Sequence, residues 1–169
     1  MAHLVLTLVG DDRAGLVSAV ADVVARHGGS WQQSELAELG GAFAGIVLVE
    51  VPDDRAGELT EAVESLGSLL RVAVHRGSVP AARVETTTLS FTVLGNDRPG
   101  IVRDVTAAIN AHALSIEAFR SRTLETPMAG GTLFEANVSV SLPATHDAEE
   151  LTRALEALAG EIQVDFALT

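Results

Sequence analysis

The segment Leu6-Thr7-Leu8-Val9-Gly10-Asp11-Asp12-Arg13-Ala14-Gly15-Leu16-Val17 returns 85 residues later as Phe91-Thr92-Val93-Leu94-Gly95-Asn96-Asp97-Arg98-Pro99-Gly100-Ile101-Val102. The correspondence continues at the same offset through Val20 and Val105, His27 and His112, and Ser30 and Ser115. A repeat of this length means one fold written twice in a single chain. Whatever the Gly-x-Asp-Arg-x-Gly loop does is therefore expected at two related sites. Each half of the 169 residues lies near the lower size limit for a core of its own, so the halves are expected to pack together.

Composition narrows the chemistry. Cysteine, tyrosine and lysine are absent. That removes disulfides, thiol catalysis, thiolate metal sites, phenolic acids and Schiff-base lysines. The lack of cysteine fits a reducing compartment, and the expected location is cytoplasmic. Net charge is −12. A surface of that sign repels phosphate backbones and anionic lipids, so neither direct nucleic-acid binding nor membrane binding is expected. The N-terminal apolar run is short, has no basic segment before it and stops at Asp11-Asp12, as a first strand does and a signal peptide does not.

The periodicities alternate in a fixed order. His3 to Val9 is rich in Leu and Val and ends at glycine, which predicts a strand. Leu16, Val20, Val23 and Val24 fall at helical spacing, and Gly28-Gly29 can close that helix. Trp31 to Leu39 and Phe43 to Val51 predict two strands about the Gly40-Gly41 turn. Leu59, Val63 and Leu66 mark a second helix after Pro52-Asp53-Asp54, and Leu70 to His75 a fourth strand. Residues 78–86 carry Gly, Ser, Pro and small side chains and are expected to link domain 1, residues 1–77, to domain 2, residues 87–169. The second half repeats the order. Its strands are Leu89 to Leu94, Leu114 to Leu124, Phe134 to Leu142 and Ile162 to Leu168. Its helical stripes are Ile101, Val105 and Ile109, then Leu151, Leu155 and Leu158. Residues 127–132 are expected to form a long hairpin loop. Each half is thus β-α-β-β-α-β. The fold class is α+β, two tandem ferredoxin-like domains with antiparallel sheets and helices on one face. The other sheet face must be covered or stay polar.

The repeated loop falls between the first strand and first helix of each half. Unbonded amides at the start of that helix, with the helix dipole, favour an anion there. The glycines allow a sharp turn and close approach. Asp12 and Asp97 add a carboxylate nearby, so donors for a carboxylate stand beside an acceptor for an ammonium. That pairing suits a zwitterion such as a free amino acid. The plainer alternative is that Asp12 and Asp97 cap their helices, worth ~1 kcal/mol each, while Arg13 and Arg98 are solvated. The loop lacks the Lys-Ser/Thr of a phosphate loop and the spacing of a dinucleotide fingerprint.

With Gly-x-Asp-Arg-Pro-Gly between first strand and first helix, the chain resembles the ACT domain, a small regulatory module that binds amino acids, over nearly its whole length and in two tandem copies. Ser30-Trp31, Phe43-Ala44-Gly45-Ile46 and the run from Glu125-Thr126-Pro127-Met128-Ala129-Gly130-Gly131 to Ala136 resemble the glycine cleavage system transcriptional repressor family, built from two ACT domains. The resemblance implies a ligand between two domains, against the first loop and the start of the second strand. It carries over to Asp12, Arg13, Ala14, Gly15 and Leu16, to Asp97, Arg98, Pro99, Gly100 and Ile101, and to Ser30 and Ser115. Many ACT sites have Asn where this chain has the loop Asp and the strand Ser, and Pro where it has Ala14.

Three functions stay open on the residues. The first is a non-catalytic regulator that senses a small amino acid, glycine by family resemblance, and modulates transcription by contacting another regulator protein. It would be a homodimer or self-paired through its halves, and no helix is basic enough to dock in a DNA groove. The second is a small enzyme of acylphosphatase type, against which the acidic loops argue. The third is an assembly module that binds nothing. No cofactor, catalytic group or metal is expected: His27 and His112 fall at helix C-termini, where a cation complements the dipole, and His3, His75 and His146 have no metal-ligand spacing.

Overall fold

In the computed structural model, alternation of apolar and polar residues builds two four-stranded antiparallel sheets. The structure describes residues 1–77, 86–126, 131–143, 153 and 162–168. The chain divides into two compact units, Met1–Ala81 and Ala82–Thr169. The expected linker, 78–86, lies outside the described residues apart from Thr86, which opens a strand.

Unit 1 runs β1 (Ala2–Asp11), α1 (Leu16–Arg26), β2 (Ser30–Leu39), β3 (Ala42–Val51), a 3-10 turn (Asp53–Arg55), α2 (Ala56–Glu64), a second 3-10 turn (Ser65–Ser68) and β4 (Arg71–Arg76). Its strand order is β2-β3-β1-β4. Leu4, Leu6 and Leu8 of β1 point to the same face as Val47, Val49 and Val51 of β3. There they bury against Leu16, Val20, Val23 and Val24 of α1 and Leu59 and Val63 of α2. The period-2 and period-3.6 stripes read from the sequence meet in this one core.

Unit 2 runs β5 (Thr86–Asn96), α3 (Ile101–Ala111), β6 (Ser115–Thr126), β7 (Gly131–Pro143) and β8 (Ile162–Leu168), with strand order β6-β7-β5-β8. Its core joins Leu89, Phe91 and Val93 of β5 to Ile101, Val105 and Ile109 of α3 and to Phe134, Ala136, Val138 and Val140 of β7. The expected second helix stripe, Leu151, Leu155 and Leu158, lies outside the described residues. Gly131 and Thr132, expected in the loop, pair with Thr126 and Glu125 at the start of β7, while 127–130 lie outside the described residues. No helix among the described residues is long and apolar enough to cross a membrane.

The repeats match in detail. Register shifts between Trp31 and Gln33 in β2 and between Ile116 and Ala118 in β6, so both outer strands carry a bulge at the same repeat position. α1 closes on Gly28 at φ 71, whose amide reaches the Ala25 carbonyl at 3.0 Å. α3 closes on Ala113, whose amide reaches Asn110 at 2.9 Å. Ala113 has φ 54, a left-handed backbone that glycine adopts freely and alanine does not.

Candidate functional site

The β1–α1 loop is held by its backbone. The amide of Asp12 donates to the Gly41 carbonyl at 2.9 Å, and the amide of Asp97 to Thr132 at 2.8 Å. These bonds tie each loop to the neighbouring hairpin and turn both aspartate side chains outward, where they are exposed. The helix N-cap is the next glycine: Gly15 at φ 91 and Gly100 at φ 88, neither helix having a side-chain cap hydrogen bond. The capping role considered for Asp12 and Asp97 is therefore taken by glycine backbone. A Cβ on Gly15 would meet nothing within 4 Å, so the mouth of the first loop has room. Ala14 and Pro99 are exposed at the turn, while Leu16 and Ile101 send their side chains into the cores. They can offer a ligand only their backbone.

The arginines part ways. Arg13 donates through Nη2 to the carbonyls of Ser68 and Leu69 at 3.0 and 3.1 Å. It clamps the first loop to the turn before β4, where a cation meets outward-facing carbonyls. Gly10 makes that approach possible, since a Cβ there would lie 2.8 Å from the Leu69 carbonyl oxygen. Arg98 instead donates through Nη1 to Asp104 Oδ2 at 2.7 Å. Arg103 donates through Nε and Nη2 to Asp104 Oδ1 at 3.1 and 3.0 Å. The hydrogen bond from Arg98, then that from Arg103, holds the Asp104 carboxyl below the usual carboxylate range. In unit 1 the position of Asp104 is Ala19 and that of Arg103 is Ser18, so the second loop has an internal ion cluster that the first lacks. Sequence reasoning passed over Asp104 and Arg103. The signal available was a first-turn acid, six residues after the loop arginine, present in one repeat only.

Ser30 and Ser115 are exposed at the starts of β2 and β6. Ser30 pairs with Glu50 and thence His3, while Gly10 pairs with Phe43. Seven residue rows separate Ser30 from the loop of its own unit, about 24 Å along the sheet. Ser115 is equally far from its loop, through Ser141 and Thr88. A single unit thus brings the loop residues together and leaves its strand serine at the opposite end. Trp31 also sits at that far end, packed against the unit 1 core. Among the described residues no group of three His, Asp or Glu side chains is arranged to hold a metal ion.

Comparison with known proteins agrees with this architecture. Residues 2–76 match the ACT domain family. The chain is 25% identical to the glycine cleavage system transcriptional repressor of Escherichia coli (strain K12) over 95% of its own length and 85% of that protein's. A crystal structure of an unknown protein from Galdieria sulphuraria superposes with a TM-score of 0.86 at 29% identity, covering 99% of this chain and 98% of that one. The crystal structure of a candidate glycine cleavage system transcriptional repressor superposes at 0.72 and 20% identity over the same shares, a likeness of fold. Unit 1 matches the ACT domain family, unit 2 repeats its sheet, loop and first helix, and the chain is similar along nearly its whole length to the glycine cleavage system transcriptional repressor of Escherichia coli.

Proposed function

We propose that this chain is a non-catalytic cytoplasmic regulator that binds a small amino acid, glycine first among candidates, and modulates transcription by contact with another regulator protein. The observation that carries the reading is the open loop. Helix-start amides without a side-chain acceptor stand beside an exposed carboxylate, Asp12 or Asp97, above a left-handed glycine. The amides receive the carboxylate of a zwitterion and the aspartate its ammonium. The strand serine lies about 24 Å from the loop of its own unit and does not close that unit's site. Glycine is favoured by the name of the related repressor. The net charge of −12 supports an indirect route to transcription. The clamp of Arg13 on two carbonyls weighs against an acylphosphatase-like phosphate cradle, which needs that guanidinium free.

Calorimetric titration of the full chain with glycine, alanine and serine tests the reading. A ligand at 100 times its dissociation constant stabilises by about 2.7 kcal/mol, roughly 5–11 °C in melting temperature for a chain of this size. Asp97→Ala should remove binding at the second copy and leave the fold intact, since its side chain supports no cap. No heat and no shift with any common amino acid would leave the assembly-module reading standing instead. Retention of duplex DNA by the isolated protein at physiological salt would refute the indirect route.

A further inference from the structure

Two positions of unit 1 hold residues that the fold does not require. Gly57 lies in the first turn of α2, where glycine is a poor helix former. A Cβ there would meet nothing within 4 Å, so packing does not impose the glycine. Arg76 ends β4 opposite Leu4, on the sheet face that carries α2. At the matching place in unit 2, opposite Leu89, stands Leu168, so the sheet does not impose the arginine.

Both residues line one crevice of about 360 Å³ between α2 and β4, within the size range of small-molecule sites. Its apolar surface comes from Leu4, Ala56 and Val74, which belong to the unit 1 core or pack on it. Its charges come from opposite walls, Arg76 from the strand and Glu61 from the second turn of the helix. Both are exposed. Among the described residues neither side chain makes a hydrogen bond or an ion pair, with the other or with any third group. Asp53, an acid that Arg76 does influence, is engaged by the Met1 ammonium at 2.7 Å. Gly57 leaves the helical wall bare beside them.

We propose that this crevice binds a small zwitterion with an apolar side chain, a branched aliphatic amino acid such as leucine, at a site separate from the repeated loops. Arg76 takes the carboxylate, since the guanidinium fork matches its two oxygens. Glu61 takes the ammonium, and Leu4, Ala56 and Val74 cover the hydrocarbon. A ligand with one charge satisfies one wall and leaves the other unmatched, whereas a zwitterion satisfies both. On a chain of net charge −12 a simple cation finds many acids, so the unpaired arginine is what selects here. Because unit 2 has Leu168 at the place of Arg76, the site occurs once per chain, while the loop occurs twice.

Titration of the full chain with L-leucine, followed by methyl NMR, tests the proposal. Leucine should shift the Leu4 and Val74 methyl resonances saturably and give nuclear Overhauser contacts to Val74. Isocaproate, which lacks the ammonium, and isopentylamine, which lacks the carboxylate, should each bind more weakly by about tenfold or more. That series uses the parent protein, so it decides even where a variant fails to fold. Arg76→Leu, which copies unit 2, and Glu61→Gln should each weaken leucine by about tenfold or more. Gly57→Leu should close the crevice to leucine while improving the helix. Asp12→Ala combined with Asp97→Ala should leave the shifts at Val74 unchanged, which separates this site from the success or failure of the loops. Leucine shifts confined to the loops, analogues that bind as well as leucine, or equal affinity in Arg76→Leu and Glu61→Gln would overturn the proposal. So would no saturable shift at Val74 up to the solubility limit of leucine, which would leave Arg76 and Glu61 as solvated charges.

Discussion

The duplicated fold supplies its own control for backbone strain. The residue that closes the first helix is Gly28 in unit 1 and Ala113 in unit 2, at φ 71 and φ 54. A left-handed backbone costs a non-glycine residue about 1–2 kcal/mol. Replacing alanine by glycine returns about 0.4–1 kcal/mol of that through the greater freedom of the unfolded chain. Ala113→Gly should therefore stabilise unit 2 by about 0.5–1 kcal/mol. Gly28→Ala should destabilise unit 1 by a similar amount and no more, because a Cβ there would meet only Arg55 Nη1, at 4.0 Å. For a folding unit of this size a change of that order moves the melting temperature by about 2–8 °C. Scanning calorimetry reads the rise in Ala113→Gly. The single tryptophan, Trp31, packs on the unit 1 core, so its fluorescence follows the fall in Gly28→Ala. An Ala113→Gly protein that melts at or below the parent temperature would refute the strain argument.

Three further substitutions probe the framework and the second loop. A Cβ on Gly45 would run into the Glu35 carbonyl and the Leu36 Cα of the adjoining strand. Gly45→Ala should thus cost about 3 kcal/mol, at the upper end for overpacking, and lower the urea midpoint followed at Trp31. Unit 2 has Ala136 at this position, where a methyl group is already buried, so Ala136→Gly should cost only about 1 kcal/mol. The depressed Asp104 carboxyl contributes stability that is present above the unfolded carboxylate pKa, about 3.9, and is lost as pH falls through the lower folded value. The urea midpoint of the parent should therefore exceed that of Asp104→Asn near neutral pH. The difference should close in acid below about pH 4; a gap constant across that range would contradict the ion-pair account.

Much of the fold was legible because burial imposes periods. Leu4, Leu6 and Leu8 alternate, Leu16, Val20 and Val24 recur at helical spacing, and all six are buried. The strand ends were less legible. Ladder pairing carries β1 through Gly10 and Asp11 to partners Phe43 and Ala42, although those residues look like a turn. At the loop the sequence left the work of its residues undecided. Aspartate before a helix suggests a cap, but the left-handed Gly15 and Gly100 take the N-cap position. What Arg13 and Arg98 touch depends on residues 55 and six positions away. No local pattern encodes the first of these contacts. The separation of Ser30 from its loop is a matter of strand order, since β3 inserts between β2 and β1.

The displaced ladders at Gln32 and Glu117 bear on a hazard every sheet protein faces. β2 and β6 are rim strands, each with a row of backbone donors and acceptors that a stray extended peptide could copy. A one-residue slip near the start of the rim breaks that row into two short stretches out of phase with each other, so a straight intruder can zip onto only part of it. A tandem protein doubles the number of such rims in one molecule and raises their local concentration. Both copies place the same interruption on this rim.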